Sequence, residues 1–352
     1  MPSRPSMSDS GRAVAAQEPG DGSSPMKFPA NLYGTVALAA CLISAGSLPL
    51  WRRWCLRRGW VDDPGHRKIH HVPVPLAGGF AVFTGMATVV VAGVLAVVLH
   101  WMPAEPLSKL SYGLGRRAVE LTTLLLGAVG MLVLGGWDDR RELRPGVKFA
   151  GQFLIALAVT LSGVRITLFV PSLVFSHGVT VLWILTVTNA FNINDNMNGL
   201  CAGLGAIASG WIAFHAAHEG QYLVASMAFL VLGSLLGFLP YNYPRASVFL
   251  GDSGSHLVGY LMSVLAILPH FYSPRQVEPS RWAVVCPLLI LAVPLADLVS
   301  VVWIRTRLGR PFWIGDTNHF SHRLTRAGLG RPQAVALLWA AAVAVGALTL
   351  LF

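Results

Sequence analysis

The sequence Leu134-Gly-Gly-Trp-Asp-Asp-Arg-Arg-Glu-Leu-Arg-Pro-Gly-Val-Lys148 joins an apolar segment to a highly charged loop. The nearly uncharged residues 118–136 run directly into two adjacent carboxylates, Asp138 and Asp139, and four cations follow. A charged residue at the centre of a bilayer costs about 2.5–3.5 kcal/mol, and less at the interface. A bound divalent cation offsets the repulsion between neighbouring carboxylates. Taken alone, the stretch is compatible with a functional carboxylate pair or with a solvated loop that ends a helix.

The composition of the whole chain favours a membrane protein. The 352 residues are 54% hydrophobic and only 12% charged, whereas a soluble domain carries about 25% charged residues. We therefore predict an all-α polytopic membrane protein with about ten transmembrane helices (ten or eleven). The ten apolar segments are 32–50, 74–101, 118–136, 149–164, 178–192, 200–217, 222–240, 255–272, 282–304 and 333–352. Segments 149–164 and 178–192 are short of the roughly 20 residues that span a bilayer.

The N-terminal residues differ from the rest of the chain. Residues 1–27 are rich in Ser, Gly, Pro and Ala and contain almost no large apolar side chain. We predict a disordered tail over residues 1–30, followed by a single integral-membrane domain over residues 31–352.

The order of the apolar segments places the polar loops. Two apolar segments separate each consecutive pair among the loops 51–73, 137–148, 191–199, 241–254 and 305–332. Ten spans therefore bring all five loops to one face, which holds 17 of the 26 Lys and Arg residues. The positive-inside rule makes this face cytoplasmic. We expect a multi-pass protein of the inner (plasma) membrane whose active site faces the cytoplasm.

The same loops argue against a nucleic-acid partner and against the main alternative from another class, a membrane transporter. The net charge of +10 resides in short loops between apolar spans, which indicates a membrane surface and not a nucleic acid. A secondary transporter predicts acidic residues near the middle of the membrane and a repeat between the two halves. The acids here gather at one face, and no repeat is visible.

Three of the loops carry polar residues whose chemistry has two interpretations. The first loop, with Asp62, Asp63 and Lys68, suits either phosphate binding or a simple cationic anchor of a helix. In the third loop, Asn192, Asp195 and Asn198 interrupt an apolar run and either line a cavity or hydrogen-bond between helices. Asp252 in the fourth loop lies between two glycines before a helix, which suits either a metal ligand or a helix cap.

The fifth loop contains two histidines three residues apart, His319 and His322, followed by Arg323. A zinc site is one interpretation, but no Cys or Glu lies near them in sequence, so we favour contacts with phosphate or diphosphate. Asp297 lies inside an apolar segment, where a carboxylate indicates a functional site; the sequence does not show its partner.

Carboxylates, a divalent ion and a set of Arg, Lys and His side chains are the components of phosphoryl transfer. A membrane-embedded version implies that one substrate is a lipid phosphate. Residue chemistry alone thus predicts a Mg²⁺-dependent transferase (with Mn²⁺ as the alternative ion) that moves a phosphorylated group onto or from a lipid.

Five motifs, in order, resemble those of the polyprenyl-phosphate N-acetylhexosamine-1-phosphate transferases, which initiate cell-envelope glycans. The motifs are residues 62–79, 137–152, 189–200, 249–255 and 319–324. The resemblance implies transfer of a sugar 1-phosphate from a UDP-sugar to undecaprenyl or another polyprenyl phosphate, with release of UMP. It is compatible with direct attack by the lipid phosphate and with a covalent aspartyl intermediate.

The resemblance also implies roles for individual residues. Asp138 matches a catalytic aspartate that acts as a base toward the lipid phosphate, and Asp139 matches its neighbour. Asp252 matches the principal Mg²⁺ ligand, and Asn192 and Asp195 match residues on the nucleotide and metal side. The remaining matches are Phe249, the aromatic that stacks on uracil; Lys68 and Lys148, which face phosphate or diphosphate; and His319 and His322, at two positions of the histidine motif. We expect His319 and His322 to be catalytic, and Asn198 and Arg323 to bind substrate.

Three positions depart from the family's usual motifs. Asn198 stands where a second carboxylate is usual, Asn196 replaces a glycine and Ser321 replaces a histidine. We expect these departures to favour an unusual UDP-sugar. The His-x-Ser-His pattern and Asp297 resemble the branch that uses UDP-GlcNAc or a related UDP-HexNAc more than the muramoyl-pentapeptide branch, which remains the alternative. A homodimer is compatible with the family.

Overall fold

The computed structural model describes residues 28–63, 72–101, 103–167, 170–269, 281–311 and 313–352. Thirteen α-helices lie in these ranges: α1 (Ala30–Arg58), α2 (Gly78–Val98), α3 (Ala104–Arg116), α4 (Ala118–Arg141), α5 (Pro145–Leu161), α6 (Leu173–Ile193), α7 (Leu200–His218), α8 (Tyr222–Asn242), α9 (Gly251–Leu265), α10 (Cys286–Ile290), α11 (Ala292–Arg307), α12 (Phe320–Arg326) and α13 (Arg331–Ala347). Short 3₁₀ helices cover Arg281–Val285 and Leu348–Leu351. Residues 1–27 of the predicted tail lie outside the described residues. The division into a tail and a single domain over residues 31–352 stays a prediction.

The helices confirm an all-α polytopic membrane protein. Seven of those in the described ranges are long and apolar enough to cross a membrane: α1, α2, α4, α6, α7, α8 and the last helix, which runs on through Leu351. The pair formed by Ala283–Ile290 and α11, bent by 70°, makes an eighth if it counts as one span. Each of the ten predicted segments contains helix, but α5 has 17 residues and α9 has 15. The count of ten spans is therefore not confirmed.

Two helices depart from the pattern of apolar segments. The predicted segment 178–192 was short, but α6 begins at Leu173 because the Ser172 side chain accepts a hydrogen bond from Phe175 N–H. This start lengthens α6 to 21 residues. Helix α3, in the loop before α4, was not predicted, because its sequence lacks an apolar run.

Helix α9 lies at the centre of the bundle. It packs against α4 and α6, and also against α2, α7 and α8. Every residue from Ser253 to Leu265 is buried, as expected for a helix covered on all sides. Its N-terminal end, with Asp252, is the end at which the polar loops meet.

The first loop forms a short antiparallel hairpin. Strand β1 (Val61–Asp62) pairs with β2 (Val74–Pro75), with Asp62 opposite Val74. The hairpin is joined to the fourth loop by hydrogen bonds from Phe249 N to Pro75 O (3.0 Å) and from Gly78 N to Phe249 O (2.9 Å). The two loops are therefore held side by side. Lys68 lies outside the described residues.

Candidate active site

A cavity of about 720 Å³ opens where the polar loops meet. It is lined by residues of the first, second, third and fourth loops and of the start of α13. The structure thus brings together loops that are far apart in sequence, as the order of the apolar segments predicted. Seven of the predicted site residues line the cavity: Asp138, Asp139, Asn192, Asp195, Asn198, Phe249 and Asp252.

Lys148 links three of the polar side chains beside this cavity. Its Nζ atom lies 2.7 Å from Asp138 Oδ2 and 3.6 Å from Asp252 Oδ2, and it donates to Asn192 Oδ1 at 3.1 Å. The lysine belongs to the first turn of α5, which begins at Pro145, a favoured residue for that position. One ammonium group therefore neutralises charge from α4 and α9 and also contacts the end of α6.

Asn192 makes the second link between these helices. Its Nδ2 atom donates to Asp252 Oδ1 at 2.5 Å and to Ser255 Oγ at 2.9 Å. Because its Oδ1 atom accepts from Lys148, both ends of the amide are used. The amide orientation follows from these partners. Asn192 therefore fixes the direction of the Asp252 carboxylate relative to Lys148.

The two adjacent aspartates have different surroundings. Asp138 is buried, and its Oδ1 atom accepts a hydrogen bond from Leu143 N–H at 2.8 Å while Oδ2 faces Lys148. Asp139 accepts from the backbone N–H groups of Asp252 (2.6 Å) and Ser253 (3.0 Å) at the start of α9. Such contacts satisfy donors that have no partner within a helix. Asp139 thus positions the turn that carries Asp252.

Two glycines allow this close approach of α4 and α9. A Cβ atom on Gly135 would lie only 2.2 Å from the backbone oxygen of Asp252. Gly251 has φ +76°, and a Cβ there would lie 2.9 Å from Asp139 Oδ2. Both positions therefore require glycine if Asp139 is to reach the start of α9.

Asp195 adds a further carboxylate to the cavity, in the loop between α6 and α7. Burial raises the pKa of Asp195 well above its usual range, and the charges of Asp252 and Asp139 raise it further. Three carboxylates are therefore close enough to repel one another. Within the described part of the chain, no group of three or more His, Cys, Asp or Glu side chains is arranged to hold a metal ion.

Two of the departures from the usual motifs contact each other. Ser321 Oγ donates to Asn196 Oδ1 at 2.6 Å, and Ser321 is buried at 1% exposure. The same asparagine donates from Nδ2 to Ile193 O at 2.8 Å. This bond ties α12 to the third loop. The third departure, Asn198, donates to Pro244 O at 3.4 Å and so contacts the fourth loop.

The histidine motif lies behind the third loop. Among the described residues, His319, His322 and Arg323 do not line the cavity. The rings of His319 and His322 are 6.1 Å apart, and Arg323 Nη1 lies 3.4 Å from Ser300 Oγ. Burial lowers the pKa of His322 below its usual range, and nearby positive charges, among them that of Arg326, lower it further.

The partner of the intramembrane carboxylate is His319. Its Nδ1 atom lies 2.7 Å from Asp297 Oδ2, and Phe320 N–H donates to Asp297 Oδ1 at 2.7 Å. Asp297 and His319 are 1% and 5% exposed. One carboxylate therefore both caps α12 and holds the imidazole. Sequence reasoning identified the two residues but could not pair them, because they come from separate motifs 22 positions apart.

Some residues at the site escaped sequence reasoning altogether. Arg245 and Arg331 line the cavity; nothing in their sequence context separates them from other loop cations.

Arg305 and Asp316 form a two-bond ion pair, with both N–O distances at 3.2 Å, that anchors the loop after α11. Hydrogen bonds from Arg305 and Asn318 outweigh the effect of burial and lower the pKa of Asp316 to about 2.

Comparison with known proteins identifies relatives over most of the chain. The family model described as glycosyl transferase family 4 matches residues 121–270. A probable undecaprenyl-phosphate N-acetylglucosaminyl 1-phosphate transferase of Bacillus subtilis is 33% identical over 299 residues, covering 83% of this chain and 76% of that protein.

Two further relatives carry related names. A decaprenyl-phosphate N-acetylglucosaminephosphotransferase of Mycobacterium tuberculosis is 32% identical over 354 residues, covering 92% of this chain and 84% of the relative. An undecaprenyl-phosphate alpha-N-acetylglucosaminyl 1-phosphate transferase of Yersinia pestis is 26% identical over 319 residues, covering 86% of this chain and 79% of the relative.

Proposed function

The chain belongs to glycosyl transferase family 4, and from this premise we propose that it transfers N-acetylglucosamine 1-phosphate from UDP-GlcNAc to a polyprenyl phosphate. The lipid phosphate oxygen forms a bond to the sugar-bearing phosphorus, and the bond to UMP breaks. The products are polyprenyl-diphospho-GlcNAc and UMP. The observation that carries the proposal is the network in which Lys148 joins Asp138, Asn192 and Asp252 beside a large cavity.

This network suits phosphoryl transfer because it places opposite charges side by side at a cavity. A phosphate group that enters the cavity can replace a carboxylate as the partner of the Lys148 ammonium group. The ammonium group then neutralises part of the phosphate charge. Asp138 would then be released from the 2.7 Å contact. A released carboxylate beside the lipid phosphate is suited to take its proton. In the two-step route the carboxylate would instead attack the sugar-bearing phosphorus of the donor with loss of UMP, and the lipid phosphate oxygen would then displace the carboxylate. Both the direct and the two-step route start from this exchange.

The residues at the cavity fit Mg²⁺ by their chemistry. Mg²⁺ is usually bound through one or two carboxylates and the phosphates of the substrate, not by a cage made of protein alone. Asp252 and Asp195 would hold it, and the repulsion that raises the pKa of Asp195 is of the kind that a cation offsets. When bound, Mg²⁺ neutralises charge that develops on the leaving phosphate. Mn²⁺ has similar ligand preferences.

For the donor, we assign the cavity wall that carries Phe249 and Asn198. Phe249 belongs to the fourth loop and is half-buried, so its ring can receive a base. Asn198 provides an amide at the same cavity. The histidine motif supports this wall from behind, because Ser321 holds Asn196 of the third loop. We therefore assign His319, His322 and Arg323 a supporting role in place of direct contact with phosphate.

The proposed setting is the plasma membrane, with the cavity at the cytoplasmic face. UDP-sugars are water-soluble, so the donor reaches the cavity from the aqueous side, while the polyprenyl chain stays among lipids. The excess of cations in the five loops supports this orientation. The muramoyl-pentapeptide alternative receives no support from the relatives, whose names specify N-acetylglucosamine.

The experiment is release of UMP by the purified protein in detergent, with undecaprenyl phosphate and a panel of UDP-sugars. We expect release with UDP-GlcNAc that depends on both lipid and Mg²⁺. Asp252→Asn should lower the rate on the order of 100-fold, the size of effect seen when one electrostatic group is removed from an active site. Glu219→Gln, an exposed carboxyl after α7, serves as the matched control. Full activity of Asp252→Asn would contradict the metal assignment.

A further inference from the structure

Two arginines line the cavity on a wall that the acidic cluster does not form. Arg245 belongs to the loop between α8 and α9, and Arg331 is the first residue of α13. We propose that Arg245 and Arg331 form a cationic subsite that binds the phosphate oxygens of the sugar-nucleotide donor. This inference rests on the proposed function, because it assigns residues to the donor of that reaction.

Contacts around Tyr243 bring the two arginines to the same wall. The Tyr243 hydroxyl donates to Pro332 O at 3.1 Å, next to Arg331. The Tyr243 ring lies 4.7 Å from that of Trp339, on α13. Arg245 follows Tyr243 by two residues. The start of α13 and the fourth loop are therefore held together at this junction.

The charges of the cavity show why these arginines are unusual. Both are exposed, and neither guanidinium has an ion pair or hydrogen-bond partner among the described residues. By contrast, buried Arg305 is paired with Asp316. Within the described part of the chain, the other charged residues that line the cavity are all acidic: Asp62, Asp138, Asp139, Glu142, Asp195 and Asp252. Asp138 and Asp252 already face Lys148, so the cationic wall is available to an anion from outside.

The chemistry of a guanidinium group indicates which kind of anion the two arginines bind. Its planar set of donors matches two oxygens of one phosphate, and the bonds are charge-assisted. Two such groups at one wall repel each other, and a diphosphate between them offsets that repulsion. Uncharged sugar hydroxyls would not do so. The wall therefore fits phosphate and not the neutral part of a sugar.

The position favours the donor over the lipid as the source of that phosphate. Arg245 and Phe249 lie on the same loop and line the same cavity. A nucleoside stacked on Phe249 carries its phosphates on a short tether, within reach of this loop. The exposed position of both arginines also suits a water-soluble ligand. The lipid phosphate, anchored by its chain, is left to the Asp138 and Lys148 side of the cavity.

Steady-state kinetics of Arg245→Gln and Arg331→Gln test the assignment. We expect each variant to raise KM for UDP-GlcNAc about ten-fold, the loss of one charge-assisted hydrogen bond, with kcat and KM for undecaprenyl phosphate nearly unchanged. Arg245→Lys should lie between wild type and the Gln variant, because a lysine keeps the charge but not the paired donors. Arg310→Gln removes an exposed arginine outside the cavity and should match wild type.

A binding measurement separates this inference from the proposed function. In EDTA, wild-type protein should bind UDP more tightly than uridine, and the Arg245→Gln/Arg331→Gln double variant should lose most of that preference. An unchanged preference, a rise confined to KM for the lipid, or an equal effect of Arg310→Gln would each overturn the subsite. Failure of wild-type protein to release UMP would reject the proposed reaction, while the comparison of UDP with uridine could still be read.

Discussion

Lys148 is the residue on which the proposed chemistry depends most directly. Its ammonium group faces buried Asp138 and the more exposed Asp252, with side-chain exposures of 8% and 35%. Asp138 is one of two adjacent carboxylates at the end of α4, and burying it without a counter-charge is unfavourable. In the proposed mechanism Lys148 therefore has two functions: it stabilises Asp138 in the resting protein and supplies positive charge for an incoming phosphate.

We expect Lys148→Met to lower turnover by about 10²–10³-fold, since it removes an electrostatic group from the active site. It should also lower the thermal stability of the protein in detergent, because Asp138 loses its counter-charge. Lys148→Met/Asp138→Asn should recover the stability but not the turnover. The measurements are UMP release and the unfolding temperature. Recovery of both in the double variant would reduce Lys148 to a structural role.

Asp297 and His319 define a second test at the residue scale. A carboxylate has no proton to donate, so His319 donates from Nδ1 and leaves Nε2 as the acceptor when neutral. Asp297→Asn keeps an oxygen for Phe320 N–H but offers an amide to His319, which reverses the tautomer. We expect a folded protein with lowered turnover, because α12, which Asp297 and His319 hold in place, supports the third loop through Ser321.

A double-mutant cycle shows whether Asp297 acts through His319. In a His319→Gln background, Asp297→Asn should cost little further activity, because the imidazole that it orients is already gone. A full additional loss in that background would mean that Asp297 has another role. Thermal stability of all four proteins, followed in parallel, separates unfolding from a loss of function.

At the scale of elements, α12 and the third loop are held together by the two motif departures. The hydrogen bond between Ser321 and Asn196 joins segments that are 125 positions apart. The family's usual glycine at position 196 alone would leave the buried Ser321 hydroxyl without this partner. The family's usual histidine at position 321 alone would add volume at a filled site. The two departures therefore form one local solution, which the sequence alone showed as two unrelated changes.

This pairing predicts compensation. Ser321→His should lower activity and stability, because a large ring enters a position that is 1% exposed. Asn196→Gly removes the side chain that Ser321 contacts and frees space. We expect Asn196→Gly/Ser321→His to be closer to wild type than Ser321→His alone, with a coupling of about 1 kcal/mol in unfolding free energy. Strict additivity of the two changes would show that the positions are independent.

At the scale of the whole molecule, apolar runs and loop charges predicted the helical membrane class, the position of the helices and the gathering of the loops. These features follow from composition and order along the chain. Contacts between motifs did not follow from them. The role of Asp139 in capping α9 requires Gly135 and Gly251 to bring two helices within hydrogen-bonding distance. Arg245 and Arg331 reach the cavity only through the packing of α13.

Orientation in the membrane is the prediction that belongs to this scale. Arg144, between α4 and α5, and His218, at the end of α7, are exposed, and the ten spans predicted from the sequence would place them at opposite faces. The buried native cysteines are Cys55, Cys201 and Cys286, and Cys41 is half-buried. In a Cys41→Ala background, a membrane-impermeant maleimide should label His218→Cys in intact cells but Arg144→Cys only after lysis. The reverse pattern would place the cavity outside the cell.

The most direct measurement uses UDP-GlcNAc that carries ³²P in the β-phosphate and ¹⁴C in the sugar. Purified protein is incubated with this donor, undecaprenyl phosphate and Mg²⁺, and lipid and water-soluble products are separated. Sugar 1-phosphate transfer predicts both labels in the lipid, in the ratio of the donor, with unlabelled UMP in the water phase. ¹⁴C in the lipid with ³²P left in UDP would show transfer of the sugar alone and contradict the proposed function.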